Sequence, residues 1–222
     1  MADNQDGASL RGAPAFPITS GVDIAGWIRE GWRLFWSQPI VFVVSTGIFL
    51  LVFLIVGRVP LVPFLIGGPM VTGYYVVIAD QAAGRPFQPQ RLFAGFSMFL
   101  HATTAYLFIN LFTAIGFVLF IIPGLIVCSW YFFTYLFIFD RRMGFWQAME
   151  ASRGIASRDI TGYLLYFLAL IAINVIGALC LGVGLFVSIP VSANSIFAAY
   201  RNTAGLDCLA PQVENTQPQP PT

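Results

Sequence analysis

Seven residues of one apolar stretch return sixty places further along the chain. Pro63, Leu65, Ile66, Tyr75, Ile78, Asp80 and Gly84 reappear as Pro123, Leu125, Ile126, Tyr135, Ile138, Asp140 and Gly144. The same step links Ser37, Ser97 and Ser157, and also Glu30, Gln90 and Glu150. A repeat at this spacing implies one supersecondary unit used more than once, and it limits the fold before any single residue is read. A third copy is fainter. Its proline, Pro190, comes seven places late, Tyr200-Arg201 stand where the others carry Asp, and Gly205 roughly matches Gly84 and Gly144.

The nature of the unit follows from its composition. Of 222 residues, 58% are hydrophobic and only 9% charged, whereas a soluble domain is about a quarter charged. Six apolar stretches cover residues 39–57, 59–79, 98–122, 123–139, 160–181 and 182–200. About 20 apolar residues in a helix cross the ~30 Å hydrocarbon core of a bilayer. The stretch 59–79 carries Pro60, Pro63, Pro69 and three glycines, and 123–139 is short, so these two are the least complete spans. Pro and Gly at 57–60, 122–124 and 181–184 stop one helix and start the next, which makes three αα-hairpins. Amphipathic segments at 23–36, 87–96 and 145–155 precede the hairpins and are expected to lie at the membrane interface. In the first, Asp23 is placed to cap the helix, and Trp32 and Trp36 suit the headgroup region. The expected fold class is an all-α membrane protein of six transmembrane helices, with its interfacial helices on the cytoplasmic side.

Arginine placement supports that count. All basic residues are arginine. With six spans, Arg11, Arg29, Arg33, Arg85, Arg91, Arg141, Arg142, Arg153, Arg158 and Arg201 share one side, and Arg58 alone faces the other. Such a bias puts the arginine-rich side, with both termini, in the cytoplasm. Residues 1–22 lack a basic start and an apolar core, so the first span is expected to act as its own targeting signal. That segment and the proline-rich 206–222 read as disordered tails around a membrane domain at 23–205. A net charge of +1 gives no field for nucleic acid. The expected partners are the lipid bilayer and a membrane protein or a second copy of the chain.

Between Gly31 and Gly205 several short motifs stand out. They are Gly31-Trp32-Arg33-Leu34-Phe35, Ile122-Pro123-Gly124, Asp140-Arg141-Arg142 and the run from Ala148 to Arg153. A further series runs from Asn174 through Gly177, Gly182, Gly184 and Pro190 to Ala199-Tyr200-Arg201. On these motifs the chain resembles a group of uncharacterised bacterial integral membrane proteins. They are related to the membrane domain that adjoins some glycerophosphodiester phosphodiesterases. The resemblance implies a helical protein of the bacterial inner membrane. It carries over no hydrolysis, because the phosphodiesterase catalytic domain is not represented in these residues.

Asp80 and Asp140 recur at helix C-terminal ends, where a carboxylate opposes the helix dipole and calls for a cationic partner. The expected role is a structural ion pair that pins a hairpin to an interfacial helix, with Arg85, Arg91, Arg141, Arg142 and Arg153 as the nearest candidate partners, Arg91 and Arg153 foremost; the alternative is an inner-face cation or proton site formed by the two carboxylates. His101, Asn110, Asn174, Asn194 and Ser195 lie in or near apolar stretches. Small polar groups there commonly knit helices together; as a set they are also the candidates for a polar path. Cys128, Cys180 and Cys208 have no metal-ligand spacing, and no phosphate loop or nucleophile–base–acid set is present. No catalytic residue, cofactor or metal is expected. The leading expectation is a non-enzymatic protein of membrane organisation or partner support. The alternative is a small transporter or channel with a path between the three hairpins, and an enzyme acting on lipid ranks third.

Overall fold

The computed structural model describes residues 21–59, 61–180 and 182–206, which are helical and contain no strand. The expected tails, 1–22 and 206–222, lie outside the described residues apart from 21, 22 and 206. Helix α1, Ile24–Ser37, starts where the Asp23 carboxylate accepts the Gly26 amide at 2.9 Å. It buries Trp27, Gly31 and Phe35, one residue per turn, and leaves Trp32 and Trp36 exposed. Pro39 then opens α2, Pro39–Val56. The proline-rich second stretch forms one 21-residue helix, α3, Val62–Ala82, with Pro69 inside it.

The expected amphipathic segment 87–96 is a 3-10 helix, Pro89–Met98, rather than an α-helix. Its buried residues are Leu92 and Gly95, the three-residue spacing of that geometry. It lies directly on the α3 backbone. A Cβ on Gly73 would stand 1.8 Å from the Leu92 carbonyl oxygen, and one on Gly95 1.9 Å from that of Pro69.

Helix α4, Phe99–Leu119, ends earlier than expected, and the chain reverses at the extended Phe120 instead of at 122–124. Pro123 and Gly124 therefore sit in the first turn of α5, Ile121–Trp130, where a missing N–H costs no intrahelical bond. Gly124 faces Gly116 so closely that a Cβ on Gly116 would come 2.8 Å from its Cα. The expected single stretch 123–139 is broken at 131–133, and α6, Thr134–Arg141, follows. Gly84 and Gly205 end their helices with φ of +69° and +75°, but Arg142, φ 53°, fills that place after α6. Gly144 is extended there and starts α7, Phe145–Ala156. Asp159 caps α8, Ile160–Leu179, and α9, Leu185–Thr203, contains Pro190.

Among the described residues, five helical stretches are long and apolar enough to cross a membrane: Pro39–Val56, Val62–Ala82, Pro89–Leu119, Ile121–Arg141 and Phe145–Leu179. Helix α9 has 19 residues and is less apolar, because Ser188, Ser192, Asn194, Ser195, Arg201 and Asn202 lie in it. Burial explains the difference. In α3, 67% of the most apolar window is buried within the protein, against 17% in α2. Helix α9 is also an inner helix, with Ser192, Asn194, Ser195 and Phe197 to Tyr200 all buried. Inner helices meet protein on most sides and can carry polar groups that a lipid-facing helix cannot. Helices α2, α4 and α8 present the apolar exterior, with Leu54, Leu107, Leu111 and Ile176 exposed.

Candidate functional site

The 3-10 segment packs extensively on α3 and α1 on α9, and α7 packs on α6. Each inner helix thus receives an amphipathic segment, and the last inner helix receives the first segment of the chain. Ionic groups mark these contacts. At the end of α3, Asp80 accepts Arg91 Nε at 2.6 Å and Nη2 at 3.0 Å, a forked pair. Arg85 Nη1 adds a third donor at 2.9 Å. Glu30 on α1 accepts Arg201 at 2.8 Å from the end of α9, and Arg33 at 2.7 Å from its own helix. Partial burial pushes the Glu30 pKa up, but the two guanidinium donors outweigh it and hold the carboxyl below its ordinary value.

Asp140 is built differently. Tyr200, sixty residues on, donates its hydroxyl to Asp140 Oδ2 at 2.9 Å, and Arg141 Nε lies 3.9 Å from the same oxygen. Arg141 also donates to the Ala204 carbonyl at 2.6 Å, so the ends of α6 and α9 are tied together. Arg153, the expected cationic partner, pairs with Glu150 at 2.7 Å on its own exposed helix face. One turn of helix separates those two residues, and that local pair holds the guanidinium on the surface of α7.

The break at 131–133 has its own device. Ser152 of α7 is fully buried, donates to the Trp130 carbonyl at 2.7 Å and accepts the Phe133 amide at 3.1 Å. One hydroxyl thereby satisfies a donor and an acceptor that the interrupted helix leaves over. Nothing in the local sequence of Ser152 marks this role. The unbroken apolar composition of 123–139 carries no sign of the break either.

Aromatic rings fill the space between the inner helices. Tyr200 packs edge-on against Phe137 at 5.0 Å, and Trp27 packs edge-on against Tyr166 at 5.2 Å. The Tyr166 hydroxyl shares a hydrogen bond of 2.7 Å with Ser195, and Tyr74 shares one of 2.8 Å with Thr46.

The candidate polar-path residues are dispersed among separate contacts. His101 is exposed near the start of α4. Asn110 donates to the Tyr106 carbonyl of its own helix at 2.8 Å. Asn174 donates to Leu170 and Ser192, each at 2.8 Å, and accepts Ser188 at 3.1 Å. Ser195 is paired with Tyr166. Asn194 is fully buried beside Ser195, and its amide nitrogen and oxygen make no hydrogen bond. Among the described residues, no three His, Cys, Asp or Glu side chains come together in a metal-binding group. No protein-family model, curated protein or solved structure matches the chain.

Proposed function

We propose that the chain is a six-span protein of a bacterial inner membrane, built from three packed hairpins with the arginine-rich ends and both termini in the cytoplasm. Its role in this reading is non-catalytic: it organises the membrane or supports a membrane partner. The observation that carries the reading is the closed order of contacts, with α1 returning onto α9 as the 3-10 segment lies on α3 and α7 on α6. Such a ring makes a stable lipid-embedded body with an aromatic-filled interior. Helix α9 supplies the sixth span, since 19 residues at about 1.5 Å each reach across the ~30 Å core. Membership of the family group that adjoins glycerophosphodiester phosphodiesterases belongs to the same proposal and rests on the motifs between Gly31 and Gly205.

Single cysteines placed at Arg58, Gly84, Arg142 and Gly182 in a cysteine-free protein test the topology. Those at 58 and 182 should react with an impermeant maleimide from outside, and those at 84 and 142 only after lysis. Any other split overturns the six-span arrangement. In-cell photo-crosslinking from positions 32, 36 and 146, where tryptophans are exposed, should give one discrete partner species. Diffuse lipid adducts alone would sink partner support.

A small transporter or channel is the second reading, and one observation favours it. The stretch from α5 to α6 is interrupted at 131–133, and Pro69 and Pro190 each remove a backbone N–H inside the other two inner helices. Interrupted helices that free backbone groups inside the protein are how many carriers build binding sites. Ion or solute flux through purified protein in liposomes, lost on Asn194→Leu, would establish it.

A further inference from the structure

The break in the α5–α6 stretch leaves a groove open along the side of the bundle. It has a volume of about 410 Å³ and lies between α8, α9 and Phe132, with Phe167, Ile171, Asn174, Ala178 and Ile196 on its walls. We propose that this groove holds one hydrocarbon chain of a membrane lipid, an inference that rests on the membrane reading above.

Three observations support a lipid chain as the occupant. The first is girth. Along α8 the lining runs from Phe167 to Ala178, which at about 1.5 Å per residue is ~16 Å. Dividing the volume by that length gives a mean cross-section of about 25 Å², whereas a helix about 10 Å across needs ~80 Å². A single polymethylene chain fills such a width, whereas a partner helix would seat only its side chains there.

The second is polarity. Asn174 is the most polar residue of the wall, yet both its amide protons and its oxygen are engaged by Leu170, Ser192 and Ser188. With its hydrogen bonds met inside the protein, the wall offers little to a polar solute and much to an apolar chain. The third is continuity. Leu168, Val175, Ile176 and Leu179 of α8 are exposed beside the groove and form part of the apolar exterior. A chain from the surrounding bilayer can enter sideways without leaving hydrocarbon. One wall is held in place, because Phe132 packs edge-on against Phe167 at 5.2 Å and Tyr166 at 5.9 Å.

The full-length protein in lipid nanodiscs, doped with a phosphatidylcholine bearing a mid-chain diazirine, tests the site by photolabelling and peptide mapping. Labels should concentrate on Phe167, Ile171, Ala178 and Ile196 at several times the level on the outward faces of α2 and α4. Val175→Phe and Ala178→Phe fill the groove from exposed positions and should reduce labelling there at least fivefold while leaving α2 and α4 unchanged. Even labelling of α2, α4 and α8, or labelling of the groove that the filled variants do not reduce, overturns the lipid site and leaves the membrane reading intact. Absence of label from every helix overturns the membrane reading as well. A crosslink between two copies at the groove, in place of lipid label, would make it a self-association surface and also overturn the proposal.

Discussion

Asp80 and Asp140 stand at the ends of α3 and α6 and precede glycines at the same offset, yet the contacts around them differ. Asp80 takes a forked pair from Arg91 on the segment that follows it, and that segment rests on α3 through glycine backbone. Asp140 takes a hydroxyl from Tyr200, far along the chain, beside the guanidinium of its neighbour Arg141, and the segment that follows α6 is joined through the buried Ser152. The residue sixty places after Gly73 is Phe133. A phenyl ring there forbids the close backbone approach that Gly73 allows, so the helix opens and a serine hydroxyl closes the gap. A recurring acidic residue fixes where a helix ends but leaves its partner to local packing.

The largest expected effect comes from destroying the glycine contact. Gly73→Val drives a side chain into the Leu92 carbonyl, which is backbone and cannot swing away. Overpacking of this kind costs about 3 kcal/mol or more. The variant should lose most of its folded fraction after heating in detergent, measured by size-exclusion recovery. Recovery equal to that of the wild type would show that the 3-10 segment is not held on α3.

The corresponding test at α6 is Ser152→Ala. It leaves the Trp130 carbonyl and the Phe133 amide without their partner, a loss of about 2 kcal/mol for buried groups. The thermal midpoint should fall, and amide exchange at 131–137 should quicken while that of α3 stays unchanged. Exchange that stays slow at 131–137 would mean that the break is sealed by something other than Ser152.

Neutralising the carboxylates compares the two ends directly. Asp80→Asn removes the charge that two half-exposed arginines share, and is expected to cost about 1–2 kcal/mol after allowance for solvent screening. Tyr200→Phe removes one buried hydrogen bond to Asp140, about 1 kcal/mol. Salt should shrink the first loss and leave the second unchanged. Equal salt sensitivity of the two midpoints would contradict the distinction between a half-exposed forked pair at Asp80 and a buried hydroxyl contact at Asp140.

Much of the helical class is legible in the sequence, because membrane-length apolar stretches and Pro/Gly stops act locally. Asp23, the proline at the start of α2 and the short path from Asp80 to Arg91 belong to the same local category. The rest depends on distance along the chain. The contact of Tyr200 with Asp140 becomes visible only when position 200 is read as the third member of the sixty-residue series. Ser152 looks like any small residue of an amphipathic helix, and its role arises from a break that apolar composition does not signal. Of the arginines near Asp140 by sequence, Arg141 lies against it, whereas Arg153 is held by a glutamate one turn away on its own helix. The lateral groove has no sequence signature, since it is produced by where α5 stops.

The return of α1 onto α9 supplies the smallest test and adds a pH dependence to the comparison. Glu30 is held below the ordinary carboxylate value of 4.5 by Arg33 and Arg201. A depressed folded-state pKa adds stability that is fully present above the unfolded value and is lost as pH falls through the folded one. Glu30 is partly exposed, and each pair contributes less than about 1 kcal/mol. The wild type should therefore exceed Glu30→Gln in thermal midpoint by a degree or two at pH 7, with the gap narrowing as pH falls below the ordinary carboxylate value of 4.5. Arg201→Gln should reproduce most of the effect, and combining the two changes should add little. A gap that does not narrow at all as pH falls through the acid range would show that Glu30 acts through its shape and not its charge, and the closure would then rest on Trp27, Gly31 and Phe35.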